Sequence, residues 1–222
     1  MDICSIFESI DGEVNAFGQG IFTVFVRLAK CNLRCSYCDT TFSFDKGTIM
    51  SVDDVVESIE SFGIHKVTIT GGEPLLQRNE VELLLDKLIL KGYNISIETN
   101  GSQPVIPEYA FHDNVCWVYD YKLPSSKMQD KMNNSHFVDL RDTDYVKFVI
   151  NDATDFKEAM RIHRILVNDM NCIANFAYSP VHDVFDPADL VKNLPSDLRD
   201  GTFINLQLHK LIWPHCGVDE ER

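Results

Sequence analysis

The chain is short of positive charge. Of 222 residues, 20 are lysine or arginine and 34 are aspartate or glutamate, a formal net charge of −14. Non-specific attachment to nucleic acid or to an anionic membrane needs basic patches, so neither is expected. Long apolar runs are missing too: none reaches the roughly 18 residues of a membrane-spanning helix. The opening MDICSIFESIDGE carries acids where a signal peptide would place a basic region and a long apolar core. The expected location is the cytoplasm. There are seven cysteines, Cys4, Cys31, Cys35, Cys38, Cys116, Cys172 and Cys216. An odd set in a reducing compartment argues against a disulfide framework. No second CxxC pair accompanies Cys35 and Cys38, and no histidine lies close to them in sequence. No repeat, low-complexity segment or linker divides the chain, so residues 1–222 are expected to form one domain.

What is present alternates. TVFVRL (Thr23 to Leu28), KVTIT (Lys66 to Thr70), NISIET, VCWVYDYK (Val115 to Lys122), DYVKFVI (Asp144 to Ile150), CIANFAYSP and FINLQLHKLIW read as strands. SVDDVVESIESF has helical periodicity with Ser51 as N-cap, Asn79 to Lys91 is helical with Gly92 as the stop, and Thr154 to Asp169 is an amphipathic helix. SSKMQDKMNN (Ser125 to Asn134) is polar and expected as a mobile loop. Strands separated by helices imply βαβ units and a parallel sheet. In such folds chemistry gathers at the carboxyl ends of the strands. Six polar clusters fall there: Cys31 to Thr40, TGGEP, ETNG, DYKLPSS, YSP and QLHK. Cys116 and Cys172 read as buried strand residues.

The densest of these is CNLRCSYCDT, Cys31 to Thr40, with the spacing C-x-x-x-C-x-x-C. Thiolates aimed at one small object favour zinc, copper(I) or an iron–sulfur cluster. Structural zinc closes with four ligands, usually from two paired motifs; a zinc site completed by a distant His or Cys stays open on spacing alone. A cuboidal four-iron cluster can instead take three protein thiolates and leave one iron for a ligand. GGEP (Gly71 to Pro74), after a strand, is a weak signal by itself.

With Tyr37 just before the last cysteine, the loop resembles that of the radical S-adenosylmethionine (SAM) enzymes, and GGEP resembles their SAM amine-binding turn. The resemblance narrows to the 7-carboxy-7-deazaguanine synthase family of the queuosine pathway and covers nearly the whole chain. Its blocks are ESIDGE (Glu8 to Glu13), FVRLAKCNLRCSYCDT, TGGEPLLQ, IETNGS, DYKLPSS and LQLHKLIWP. It implies an α/β fold, a partial (incomplete) radical-SAM-type (β/α)6 barrel with parallel strands. The cluster loop would span 31–40, and a C-terminal segment, 203–216, would close over substrate. The implied cofactors are a [4Fe–4S] cluster on Cys31, Cys35 and Cys38, SAM, and Mg²⁺ on Thr40. SAM would meet Tyr37, Asp39, Gly72, Glu73, Asn100, Asp120, Tyr121, Lys122 and Ser179. Gly72, lacking a Cβ, would let the backbone approach SAM. A pterin substrate would meet Ile10, Asp11, Gly12, Glu13, Arg27, Thr70, His209 and Pro214, with His209 and Lys210 on the rim of the last strand. On the residues alone, a pairing of Arg27 with a surface acid is the lesser alternative.

The implied reaction is ring contraction of 6-carboxy-5,6,7,8-tetrahydropterin to 7-carboxy-7-deazaguanine with loss of ammonia. The implied partners are a one-electron donor such as flavodoxin or ferredoxin, and a second copy in a homodimer. Lys30 and Arg34 flank the cysteines and can guide an acidic donor by charge; two solvated loop cations are the plainer alternative. Three positions depart from the family pattern, which has Gln at Asp11, Gly at Val14 and Gly at Lys30. Asp11 matters most, because an ionised Asp only accepts hydrogen bonds whereas Gln also donates. Two competing functions share parts of the pattern: a glycyl-radical-enzyme activase and a non-enzymatic zinc-binding interaction protein.

Overall fold

Residues 1–45 and 47–214 are described by a computed structural model. Cys216 and the last two positions of the 203–216 segment lie outside the described residues. Strands β1 (Asp2–Ile10) and β2 (Phe22–Leu28) are antiparallel, and β3 (Thr48–Ile49) pairs antiparallel with β1. From β2 onward the sheet is parallel, through β4 (Lys66–Gly71), β5 (Asn94–Thr99), β6 (Val115–Asp120), β7 (Tyr145–Ile150), β8 (Asn175–Pro180) and β9 (Thr202–Ile204). The strand order is β3-β1-β2-β4-β5-β6-β7-β8-β9, an open sheet and an incomplete barrel.

The helices form where periodicity and capping agree. In α1 (Val52–Ser61), the Ser51 hydroxyl accepts from Asp54 N at 3.1 Å and the Asp54 carboxylate answers Ser51 N at 3.2 Å, a reciprocal cap. Helix α2 (Arg78–Leu90) buries Val81, Leu84, Leu85 and Leu88 along one face, and Gly92 ends it at φ +78. Helix α3 (Ala153–Arg164), capped by Asp152, runs into a π-helical turn over Ile165–Asp169. Helix α4 (Pro187–Asn193) precedes β9.

Three features differ from the sequence-based expectation. The N-terminus is a full strand that doubles the sheet edge. The polar stretch after Ser125 winds into short 3-10 turns pinned to the cysteine loop, with Ser36 N donating to Ser126 O at 3.1 Å. FINLQLHKLIW is not one strand. Pro180 at the end of β8 has no N–H to extend the ladder. Beyond Ile204 the chain turns, and Leu208–Ile212 coil into α5, with Leu208 N donating to Gly12 O at 3.1 Å. His209 and Lys210 therefore lie on a short helix, not on a strand rim.

Side chains alternate across a strand. One set, including Val67, Ile69, Ile97, Trp117, Phe148 and Tyr178, joins the apolar core under the helices. The other set is largely polar: Lys66, Thr68, Thr70, Ser96, Glu98, Asp120, Lys147 and Ser179. A small apolar cluster of Val14, Cys116, Val118, Tyr145 and Ala177, with Phe17 against it, fills part of this second, inner face. Cys172 is buried as expected, but it lies ahead of β8 rather than within a strand.

Candidate functional site at the carboxyl ends of the strands

The cysteine loop leaves β2 and is held from three sides. Gly72 N donates to Leu28 O at 3.0 Å and Glu73 N to Lys30 O at 2.8 Å, so the GGEP turn lies directly on the loop's entry. A Cβ on Gly72 would fall 2.0 Å from Lys30 O and 2.9 Å from the Cys31 Cβ. That space belongs to the protein's own backbone, which corrects the expectation that glycine is needed here to admit SAM. Lys30 adopts φ +73, a left-handed conformation that explains glycine in the family pattern.

Cys31, Cys35 and Cys38 are each partly exposed on this loop. Leu33 N lies 3.4 Å and Asn100 Nδ2 3.7 Å from the Cys31 sulfur, donors that suit a charged thiolate. Burial pushes the Cys35 thiol up, and nearby Lys122 opposes it. Among the described residues no group of three or more His, Cys, Asp or Glu side chains comes together as a single-metal site. A lone zinc needs its ligands within one coordination sphere. Thiolates on a cuboidal cluster each meet a different iron, so three cysteines on one loop can serve it without sharing a single coordination sphere.

Glu73 is fully buried and braces the rim. Its carboxylate accepts from Thr99 Oγ1 at 2.8 Å, Asn100 N at 2.7 Å and Leu75 N at 2.9 Å, tying GGEP to ETNG. Burial raises its pKa against those hydrogen bonds. Glu73 thus acts from behind the rim rather than as an exposed SAM ligand. Tyr121 needs a similar correction: its ring packs against Phe137 and Phe148 in the core, leaving only its backbone toward the rim. The Tyr37 hydroxyl is buried with no hydrogen-bond partner, a donor held ready at the loop.

The inner face collects charge. Lys147, deep in β7, pairs with Glu13 and, at 3.2 Å, with Asp120; Lys122 meets Asp120 at 2.7 Å. Burial works against the Asp120 carboxylate, but Lys122 and Lys147 outweigh it and hold its pKa low. Glu98 accepts from Thr70 Oγ1 at 2.9 Å. Burial first, then Glu13, raises the Glu98 carboxyl to about 7, against the pull of Lys147. Arg27 projects from β2 between the rings of Phe7 (5.5 Å) and Phe42 (5.7 Å), with Nη1 3.5 Å from Thr40 Oγ1. Its Nε is buried and unpartnered, which disfavours a mere surface ion pair and leaves donors for an anionic ligand. The Thr40 hydroxyl lies 3.1 Å from Asp39 Oδ1.

The segments around Gly12 and Leu208 meet over this face. Gln19 Nε2 donates to Gly12 O at 3.0 Å and Leu206 O at 2.7 Å, and Gln207 Nε2 reaches Glu13 at 3.2 Å. His209 Nδ1 occupies the space beside Gly12, 2.4 Å from where a Cβ would be, so any side chain there would displace the imidazole. Lys210 Nζ lies 3.3 Å from Asp39. Asn205 Nδ2 donates to the buried Ser179 Oγ at 3.2 Å. Ile10 ends β1 beside this closure, and Pro214 is exposed just beyond α5. Asp11 is almost fully buried with its carboxylate on Lys66 and Thr68, not on the open part of the face. Glu98, Lys147, Lys66, Asn205 and Gln207 escaped the sequence reading. Lys66, Glu98 and Lys147 left a signal, a charge inside an otherwise apolar strand, as in KVTIT and VKFVI; Asn205 and Gln207, beyond β9, left none.

Lys30 is paired with Asp2 at 2.9 Å, and the Arg34 guanidinium lies 4.3 Å from the Phe44 ring centroid while donating to Cys31 O at 2.7 Å. A groove of about 650 Å³ along α3, lined by Pro124, Met160, Arg161 and Ile165, faces none of the groups described above.

Residues 26–111, holding the end of β2, the cysteine loop, GGEP and ETNG, match the family model of the radical SAM superfamily. Loop, turn and open parallel sheet agree with that match: this is a radical SAM enzyme. Its relatives narrow the class. The 7-carboxy-7-deazaguanine synthase of Clostridium acetobutylicum is 37% identical over 210 residues, covering 93% of each chain. That of Methanospirillum hungatei is 38% identical over 212 residues, 96% of this chain and 85% of its own. The chain belongs to the 7-carboxy-7-deazaguanine synthase family. In fold it resembles the crystal structure of QueE from Escherichia coli, with TM-score 0.66 at 22% identity over 82% of this chain and 85% of that one.

Proposed function

We propose that the chain carries out the reaction for which its relatives are named, as a Mg²⁺-dependent carbon–nitrogen lyase. It contracts the ring of 6-carboxy-5,6,7,8-tetrahydropterin, releases ammonia and yields 7-carboxy-7-deazaguanine for queuosine synthesis. The observation that carries this is the charged inner face, roofed by the segments around Gly12 and Leu208, directly below the cysteine loop. Packing alone does not require such a face.

Cys31, Cys35 and Cys38 would hold a [4Fe–4S] cluster, and the cluster together with SAM would supply one-electron chemistry able to remove a hydrogen atom from the substrate. The chain's own groups do the rest. Tyr37, Asp39, the Gly72 backbone, Asn100, the Tyr121 backbone and Ser179 orient SAM, with Asp120 and Lys122 as a fixed pair of opposite charges. Glu73 keeps their turns in register. Arg27 grips the substrate carboxylate, and Glu13, Thr70 and His209 hydrogen-bond the ring, beside Ile10, Gly12 and Pro214. The described part of the C-terminal segment, residues 203–214, closes the site. Thr40 presents a hard oxygen of the kind Mg²⁺ prefers, with remaining positions for water or substrate. Such an ion would fix the substrate carboxylate and polarise the rearranging centre.

The enzyme is read as a cytoplasmic homodimer that takes one electron at a time from a flavodoxin or ferredoxin. Among the described residues no helix is long and apolar enough to cross a membrane. The test is anaerobic incubation of the reduced protein with SAM, Mg²⁺ and the carboxytetrahydropterin, read by mass spectrometry. Formation of 7-carboxy-7-deazaguanine is expected. SAM cleavage without that product would contradict the assignment and favour an activase.

A further inference from the structure

Asp11 stands where the family pattern carries glutamine, and its surroundings are not those of a substrate ligand. Only 1% of the residue is exposed, and its Oδ2 lies 3.0 Å from Lys66 Nζ and accepts from Thr68 Oγ1 at 3.0 Å. Lys66, the first residue of β4, is 5% exposed. Its ammonium also meets Thr68 Oγ1 at 3.0 Å, Ser96 Oγ at 2.8 Å and Val67 O at 3.3 Å, with the Phe17 ring 5.5 Å away. The ion pair is filled from within the protein. It lies toward the amino end of β4, below the Thr70 and Glu98 layer, since Thr68 pairs in register with Ser96.

The backbone of Asp11 is clamped as well, its N–H on Ile21 O and its O on Gly20 N, both at 2.7 Å. One residue on is Gly12, packed on His209; two on is Glu13, paired with Lys147. We propose that the Asp11–Lys66 ion pair is a positioning device that fixes how deep the Asp11–Glu13 turn seats in the inner face. It thereby places Glu13 and His209 for the pterin, and Asp11 itself does not touch substrate. An acid at position 11 is tolerated because Lys66 matches it. A buried pair with one partner removed leaves an uncompensated charge, so each single loss is severe and the two losses are coupled. The kinetic part of this inference rests on the proposed reaction; the turn's rigidity does not.

The experiment compares Asp11→Asn, Lys66→Gln, the double variant and Lys66→Arg. Each is followed by steady-state kinetics with the pterin and, without substrate, by amide hydrogen exchange across residues 11–20. Both single variants should raise KM about tenfold, a loss of one charge-assisted contact's worth of alignment, with a smaller change in kcat. Both should speed exchange in the turn. The double variant should be no worse than the poorer single one, and Lys66→Arg should stay within about twofold of wild type. If Lys66→Gln leaves KM unchanged while Asp11→Asn raises it, Asp11 touches substrate and the proposal fails. Lower thermal stability in both with unchanged KM would leave only a structural pair and also overturns it. Should the wild type not turn over the pterin, the proposed function falls, and the exchange data alone decide: unchanged exchange in both single variants refutes the positioning role. If Lys66→Gln does not fold, Asp11→Asn and the double variant carry the same comparison.

Discussion

On the helix-covered side, β4, β5 and β6 present Val67, Ile69, Ile97 and Trp117, all fully buried among apolar neighbours. On the other side the same strands present Thr68, Thr70, Glu98 and Asp120, tied by ion pairs and hydrogen bonds. Removing polar groups from water costs free energy even when they are paired, so folding alone would favour apolar residues on both faces of a parallel sheet. The difference shows where stability is made and where it is set aside for chemistry. On the proposed function, changes on the helix face should cost stability only, and changes on the inner face should cost turnover.

The largest effect should come at the cysteine loop. Cys38→Ala should abolish turnover and cut the iron bound after anaerobic reconstitution, while leaving the far-ultraviolet circular dichroism of the fold in place. Full iron loading in that variant would remove the ligand assignment. Next, Leu88→Ala on the helix face should lose about 2–5 kcal/mol of stability in a denaturant titration, because it opens a cavity in α2's packing. Its KM and kcat, measured well below the melting temperature, should match wild type; a changed KM would blur the division between the faces. Thr40→Ala should lower turnover by about tenfold or more with the cluster intact, consistent with loss of one metal ligand. Unchanged turnover would take Mg²⁺ away from Thr40.

A smaller effect is in pH dependence. Burial of its carboxyl, and then Glu13, push the half-buried Glu98 up to about 7, above the ordinary 4.5. The folded protein therefore holds this proton more tightly than the unfolded chain. The stabilising contribution is complete below about pH 4.5 and is lost as pH rises through about 7. Denaturation midpoints should decline across that window, and Glu98→Gln should flatten the decline. An equal slope in the variant would place the titration elsewhere.

The sequence revealed those parts whose partners are near in the chain. Cys31, Cys35 and Cys38 share one loop, and Ser51 with Asp54 caps a helix within one turn, so both were legible. The inner face was not, because its contacts join distant segments: Lys147 and Glu13 are separated by 134 positions. Tyr121 follows Asp120 directly, yet one side chain faces the site and the other the core. No composition rule gives that phase until the strand's end is fixed. The closing helix was hidden in a run of strand-like residues, and only the absent N–H of Pro180 and the docking on Gly12 end the strand there. Asp11 resembled a substrate contact by position, and Lys66, its partner in space, gave no hint of the pairing.

The most direct test of the division between faces is product formation by Lys147→Met beside wild type, each normalised to folded, cluster-loaded protein, with SAM cleavage followed separately. Lys147 lies on the inner face, is buried, and joins Glu13 to Asp120. The account predicts that Lys147→Met still cleaves SAM but forms 7-carboxy-7-deazaguanine at least about a hundredfold more slowly, the scale expected when a buried ion pair loses one partner. Lys147→Arg should recover part of that loss. Product formation by Lys147→Met at the wild-type rate would contradict it.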